Sequence, residues 1–147
     1  MTEHAFTGRF PHTTTVPVAW GDMDALGHVN NSVYFRYFET ARIHYFEALG
    51  INLPTTNTAM GPILAHIACQ FSAPVSYPDT LIIGSRIHTF GTTSLRLAHE
   101  IYSQQQQRIV ATSDSVIVMI NYKAMVKVTI PGALRDAIER FQGRQQD

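Results

Sequence analysis

The sequence predicts an α+β domain in which one long apolar helix is wrapped by a curved antiparallel sheet of about five strands. Three observations carry this. From Val33 to Leu49 the apolar residues Tyr34, Phe38, Ala41, Tyr45 and Leu49 recur at steps of four, three, four and four, the period of a helix face. Val33, Phe35, Tyr37, Ile43 and Phe46 widen that stripe far beyond one face, so the helix is buried on several sides. Beyond it come four strand-like runs, about 62–77, 79–91, 94–103 and 107–122; consecutive strands joined by short turns pair antiparallel, and a sheet this apolar must bury a face.

Taken in order, residues 1–12 are polar and unpatterned and read as a frayed end. Thr13–Trp20 is rich in β-branched residues, but Pro17 cannot donate to a central ladder, which makes this an edge or short terminal strand. A loop follows, then the helix, about 17 residues and roughly 25 Å long at 1.5 Å per residue. Gly50 supplies a left-handed stop, and Ile51–Met60, with Pro54 and many threonines and asparagines, reads as a loop. In the second strand run Leu81, Ile83, Ser85, Ile87 and Thr89 alternate with Ile82, Gly84, Arg86, His88 and Phe90. Gly91-Thr92-Thr93 and Gln104–Gln107 are hairpin connections, so the four runs form a meander. Val116–Ile120 is continuously apolar, as in a strand covered on both faces. After a turn near Lys123 the stretch Val126–Ile130 extends or follows that strand, and Pro131 opens a last helix whose Leu134, Ile138 and Phe141 share a face. One domain, 13–141, with a polar tail at 142–147, accounts for the chain.

A length of 147 residues allows one domain to bury most of its surface without disulfides or metals. Eleven basic residues balance eleven acidic ones and form no run, which argues against nucleic-acid or anionic-membrane partners. Met1–Thr15 has no export pattern and no window approaches 18 apolar residues, so a cytoplasmic location without a membrane span is expected. Cys69, the single cysteine, sits in the apolar run Ile63–Phe71 and reads as a small buried hydrophobe.

The chemistry gathers between Gly21 and Tyr34. Asp24, in a loop just ahead of a helix, has the placement of a nucleophile or of a general base for water. The first free N–H groups of that helix, near Asn31 and Ser32, form a complementary oxyanion site. Asp22 is better read as a loop organiser, since turn aspartates commonly satisfy backbone amides. Gly27 supplies a positive φ or lets the backbone approach a ligand. His28 is a hydrogen-bond donor or a metal ligand beside the aspartates, although no HExxH or cysteine pair supports a metal. Asn30 or Asn31 caps the helix, and its aromatic residues are core. There is no Gly-x-Ser-x-Gly elbow, Walker loop or dinucleotide fingerprint.

Trp20-Gly21-Asp22-Met23-Asp24-Ala25-Leu26-Gly27-His28-Val29-Asn30-Asn31, followed by Tyr34, resembles the signature of the 4-hydroxybenzoyl-CoA thioesterase-like branch of hotdog-fold acyl-CoA thioesterases. The resemblance continues through Phe71-Ser72-Ala73-Pro74, Asp79-Thr80-Leu81, Gly91–Leu95 and Ile130-Pro131. It implies a homodimer, often paired into a tetramer, with active sites at the subunit interface and no cofactor. It further implies Asp24 as the catalytic carboxylate and the backbone amide of Asn31 as the oxyanion donor. Gly27, His28, Asn30 and Tyr34 then belong to the substrate loop and first helical turn. Ala65 and His66 would line the pocket from the partner subunit, and Arg86, His88 and Arg96 are the candidates for the CoA phosphates. The turn Tyr122-Lys123-Ala124-Met125 lacks the glycine and proline of the family pattern, and Lys123 and Lys127 are the only lysines; that scarcity leaves acyl carrier protein open as the carrier.

The expected activity is hydrolysis of an acyl-CoA thioester to a free acid and coenzyme A. Two alternatives stand beside it: a module that binds acyl thioesters without cleaving them, and a dehydratase of acyl thioesters that uses His28.

Overall fold

The computed structural model describes residues 1–50 and 60–143. A short helix, α1 (Glu3–Thr7), precedes β1 (His12–Pro17), a single 3-10 turn at Trp20–Asp22 and the long helix α2 (Asn31–Ala48). Strands β2 (Met60–Phe71), β3 (Thr80–Phe90), β4 (Ser94–Ser103), β5 (Arg108–Asn121) and β6 (Val126–Lys127) follow, and α3 (Gly132–Gly143) closes the described chain. One antiparallel sheet runs β1-β3-β4-β5-β2, with β6 paired to the end of β5. The α+β architecture read from the sequence is the one observed.

The core forms where the sheet's inner face meets α2. Tyr34, Tyr37, Phe38, Ala41, Tyr45 and Phe46 are its buried residues. Tyr37, Phe38 and Ala41 pack with Leu81, Ile83 and Ile101 of β3 and β4. Tyr45 and Phe46 pack with Ile87, Leu95, Leu97 and Ile138, which joins α3 to the same core. One inner row is polar instead. His12, Ser85, His99, Ser113 and Cys69 stand opposite one another across β1, β3, β4, β5 and β2. Ser85 Oγ and His99 Nδ1 lie 2.9 Å apart in that row.

The strand edges follow the sequence logic. Pro17 sits on β1, an edge strand, where its missing N–H costs nothing. Gly50 has φ of +78° at the end of α2. The turn after β5 works without glycine or proline because Asn121 Oδ1 accepts the N–H groups of Lys123 and Ala124, and Met125 takes φ of +55°. The expected loop at Ile51–Met60 lies outside the described residues except for Met60, the first residue of β2.

Four expectations are corrected. Residues 1–12 are not frayed: Thr2 caps α1, and Phe6 and Phe10 bury themselves on the sheet's outer face against Ile82 and Tyr102, apolar spacing too sparse to show as a pattern. The run 62–77 stops at Phe71, where Pro74 and Pro78 make ladder bonding untenable. The four long strands are not a simple meander: only β3, β4 and β5 are consecutive neighbours, while β2 pairs with β5 at the far edge. Residues 72–79 therefore cross from one side of the sheet to the other. The polar tail also starts later than 142, because Gln142 is held by Tyr45 OH at 2.8 Å and by the backbone N–H and C=O of Ile87 at 2.7 and 2.8 Å.

Candidate active site

The loop between β1 and α2 is held by its own backbone and by one carboxylate. Met23 and Val29 form an isolated bridge. Asp24 N–H donates to His28 C=O at 2.9 Å, and Gly27 N–H to Asp24 C=O at 3.0 Å, a tight turn that Gly27 completes with φ of +80°. Asp22 Oδ2 accepts from Ala19 N–H at 3.0 Å and from Tyr37 OH at 2.7 Å, and Asp22 C=O accepts from Asn30 N–H at 3.0 Å. Asp22 thus ties the loop to the second turn of α2, the organising task expected of it. Burial and the neighbouring Asp22 carboxylate push the Tyr37 hydroxyl well above the usual phenol range, so it remains a donor to Asp22 at any working pH.

The crossing segment completes the site. Val29 N–H donates to Val75 C=O at 2.8 Å, and Ser76 Oγ to Gly27 C=O at 2.8 Å. The loop and the segment enclose an open cleft of about 480 Å³. Asp24, Leu26, His28, Val29, Asn30 and Asn31 line one side, Phe71, Ser72, Ala73 and Pro74 the other, with Tyr34 at the base. Tyr34 meets Phe71 edge to face at 4.9 Å. Its hydroxyl is raised to about 12, first by burial and then by Cys69 nearby, so it stays protonated.

Two groups in this cleft are chemically available. Asp24 Oδ1 accepts Leu26 N–H at 2.9 Å, while Oδ2 takes no hydrogen bond among the described residues. Asn30 is the helix cap: its Oδ1 accepts Ser32 N–H at 2.9 Å and Ser32 Oγ–H at 2.7 Å. Ser32 N–H is thereby used, and Asn31 N–H, at the positive end of an 18-residue helix, is left without an acceptor among the described residues. An exposed carboxylate and a free helix-end amide on one cleft can act on one carbonyl, the first at carbon or at water and the second at oxygen.

The family model described as "Thioesterase-like superfamily" matches residues 18–138, from just after β1 into α3. The chain belongs to the thioesterase-like superfamily. Among solved structures, this thioesterase-like chain is similar to the PA2801 protein of Pseudomonas aeruginosa, with 35% identity, a TM-score of 0.79 and coverage of 86% of this chain and 97% of that one. It is similar to a Thermus thermophilus thioesterase complexed with coenzyme A and Zn, with 28% identity, a TM-score of 0.77 and coverage of 92% and 97%. The long-chain acyl-CoA thioesterase FadM of Escherichia coli is 24% identical over 128 residues, 87% of this chain and 97% of FadM.

In this superfamily member the residues predicted for the site divide into three groups. Asp24, His28, Asn30, Asn31 and Tyr34 meet at the cleft, and Gly27 turns the loop behind them. Ala65 and His66 do not reach the cleft of their own chain. They lie exposed on β2, where the register irregularity between Leu64 and His66 falls. Arg86, His88 and Arg96 are not at the cleft either, because strand alternation places them on the outer face of the sheet. There His88 Nε2 and Arg96 Nη1 both meet Asp114, at 2.9 and 3.0 Å, and Arg86 donates to Arg9 C=O at 3.0 Å. His28 has no cluster around it: among the described residues no three His, Cys, Asp or Glu side chains gather. Phe71–Pro74 and the Tyr37–Asp22 tether were missed as site elements. The two prolines near the end of the run were the signal for the first; nothing in the spacing signals the second.

Proposed function

We propose that the protein hydrolyses an acyl-CoA thioester to a free carboxylic acid and coenzyme A. The observation that carries the reading is the cleft shared by the free oxygen of Asp24 and the unengaged amide of Asn31. The thioester carbonyl oxygen accepts from Asn31 N–H, and its carbon faces Asp24. Either the carboxylate attacks, expelling the CoA thiolate to leave a mixed anhydride that water opens, or it takes a proton from water as the water attacks and the C–S bond breaks. In both cases the thiolate leaves with the bonding electron pair; one hydrogen of water passes to sulfur by way of Asp24 or solvent, and the other stays on the new carboxyl group, which then ionises. Support for CoA as the carrier comes from the relatives: FadM is a long-chain acyl-CoA thioesterase and the T. thermophilus thioesterase was solved with coenzyme A. An Arabidopsis relative, 24% identical over 92% of this chain, is an acyl-acyl carrier protein thioesterase, so acyl carrier protein belongs in the substrate panel.

The site is completed by a second copy. Edge strand β2 exposes Met60, Ile63, Leu64 and Phe71 along an edge with no strand partner among the described residues, a template for antiparallel pairing with itself. On this reading Ala65 and His66 of the partner subunit, exposed on the same strand, reach the interface. On the opposite side, no helix among the described residues is long and apolar enough to cross a membrane.

The test is thiol release from short, medium, long and aromatic acyl-CoA thioesters. Asp24→Asn is expected to lower turnover about 10²- to 10⁴-fold, the range for loss of a key acid–base or nucleophilic group; turnover at the wild-type rate removes Asp24 from the mechanism. A second reading, a binder that does not cleave, is favoured by one observation: Asp24 Oδ1 already serves as a turn acceptor for Leu26 N–H. Saturable binding without thiol release by the wild-type protein would establish it.

A further inference from the structure

Four consecutive glutamines, Gln104–Gln107, join β4 to β5, and their hydrogen bonds run back to the segment that crosses the sheet. Gln104 N–H donates to Thr80 C=O and Gln105 N–H to Asp79 Oδ1, each at 3.1 Å. Asp79 is buried, and its Oδ2 accepts from Ser103 Oγ–H, whose oxygen accepts in turn from Gln106 N–H at 3.1 Å. A buried carboxylate whose oxygens are taken by donors of β4 and the turn fastens the turn to the end of the segment. The Gln106 side chain, exposed to solvent, reaches further along it: Nε2 donates to Pro74 C=O at 2.8 Å.

Pro74 stands between two open spaces. It lines the cleft on one side and, on the other, a hollow of about 290 Å³ between the segment and the glutamine turn. Its neighbours are held by the sheet and the core: Ser72 and Ala73 N–H donate to Val110 C=O at 2.8 and 3.2 Å, and Val75 is buried in the cluster that contains Val29 and Tyr34. Pro74 itself has no N–H to donate. With a hollow on either side it also lacks the close packing that fixes a core side chain.

We propose that Gln106 is a positioning residue for the substrate: by holding Pro74 it sets how far the Phe71–Pro74 wall stands from Asp24 and Asn31, and so the width of the space that the acyl thioester enters. This assignment rests on the acyl-thioester reading of the cleft above. Gln106 touches no substrate and acts through Pro74. Its effect falls on binding and spares the chemical step, because the loop opposite is fastened independently, by Asp22 to Ala19 and Tyr37. A solvent-exposed bond adds little to global stability. A ligand that needs the wall in place nonetheless binds more weakly in proportion to the fraction of molecules that hold it there.

The experiment compares wild type, Gln106→Met, Gln106→Lys and Gln105→Ala by thiol release from the acyl-CoA of the panel above that the wild type cleaves fastest, and by deuterium exchange of segment 72–79. Methionine keeps the length of the side chain and loses the donor; lysine restores an N–H at similar reach. Gln106→Met is expected to raise KM about three- to tenfold, the effect of one neutral hydrogen bond. In the same variant kcat changes less than about twofold, Tm shifts by less than about 2 °C, and exchange at 72–79 becomes faster. Gln106→Lys should recover most of the KM, and Gln105→Ala, whose backbone N–H still reaches Asp79, should resemble the wild type. An unchanged KM or unchanged exchange in Gln106→Met overturns the proposal, as does a rise in KM of the same size in Gln106→Lys or Gln105→Ala. Silence of the wild type on the whole panel removes the hydrolase reading instead. Exchange and the affinity for a non-hydrolysable thioether analogue of octanoyl-CoA then decide, with equal values in wild type and Gln106→Met overturning the assignment of Gln106.

Discussion

Replacing Tyr37 with Phe removes one oxygen and tests whether the Asp22 tether holds the loop that lines the cleft. The ring is buried between α2 and the sheet and is retained, so packing changes little. What is lost is the 2.7 Å bond to Asp22 Oδ2, an oxygen that keeps one donor, Ala19 N–H at 3.0 Å. A hydrogen bond to a charged group contributes about 1.5–3 kcal/mol. Because Asp22 is half-buried and keeps a second donor, the lower part of that range applies, about 1.5–2 kcal/mol. For a domain of this size each kcal/mol moves Tm by about 3 °C, so a fall of about 4–6 °C is expected by calorimetry. Activity should fall further than stability suggests, by about 10- to 100-fold in kcat, since a loop displaced by about 1 Å misaligns a reacting group. A double-mutant cycle with Asp22→Ala separates the tether from general destabilisation, because residues sharing one bond are not additive. A Tm unchanged to within about 1 °C, or fully additive effects of the two substitutions, would refute the idea that this bond positions the loop.

Three other outcomes follow from features outside the cleft. His99 titrates near 6.5 when unfolded and at about 3 in the folded protein, lowered first by burial and then by Arg42. Between those values the unfolded chain holds the extra proton, so stability is fully present above pH 6.5 and falls as the pH drops towards 3, by up to about 1.4 kcal/mol per pH unit; denaturant midpoints across that window should flatten in His99→Gln. A Cβ at Gly84 would run into the Phe10 ring, so Gly84→Ala should cost about 1–3 kcal/mol as an overpacked site, and Phe10→Ala in the same chain should recover part of it. Burial raises the Cys69 thiol from 9.0 to about 11, so at pH 7.5 its alkylation should run about a hundredfold slower than that of a free thiol, and match it in denaturant.

The fold was legible wherever one local period decided it. The long helix announced itself through Tyr34, Phe38, Ala41 and Tyr45, and the edge position of β1 through Pro17. The site was legible where several scarce residue types stood within 14 positions, from Gly21 to Tyr34. What stayed hidden depended on partners far away in sequence. Nothing near Phe71 says that β2 pairs with β5 rather than β3, so the crossing segment that walls the cleft could not be placed. Phe6 and Phe10 are two apolar residues in a polar stretch, and only the flat surface offered by Gly84 and Tyr102 explains their docking. Arg86, His88 and Arg96 were chosen for charge alone. Alternation sets the side of the sheet on which a side chain emerges, and theirs faces away from the cleft.

The polar row under α2 acts as a register key for the sheet. Leu81, Ile83, Ile87, Leu95, Leu97 and Ile101 are nearly interchangeable in size and polarity, so sliding β4 by two residues against β3 keeps apolar groups facing inward and disturbs the oil-like part of the core little. The same slide sets His99 opposite Ile83 or Ile87 in place of Ser85 and strips Nδ1 of its bond, at about 1–3 kcal/mol for each polar group stranded. The sheet is locked by the few residues that fit it poorly anywhere else, as a key is set by its notches.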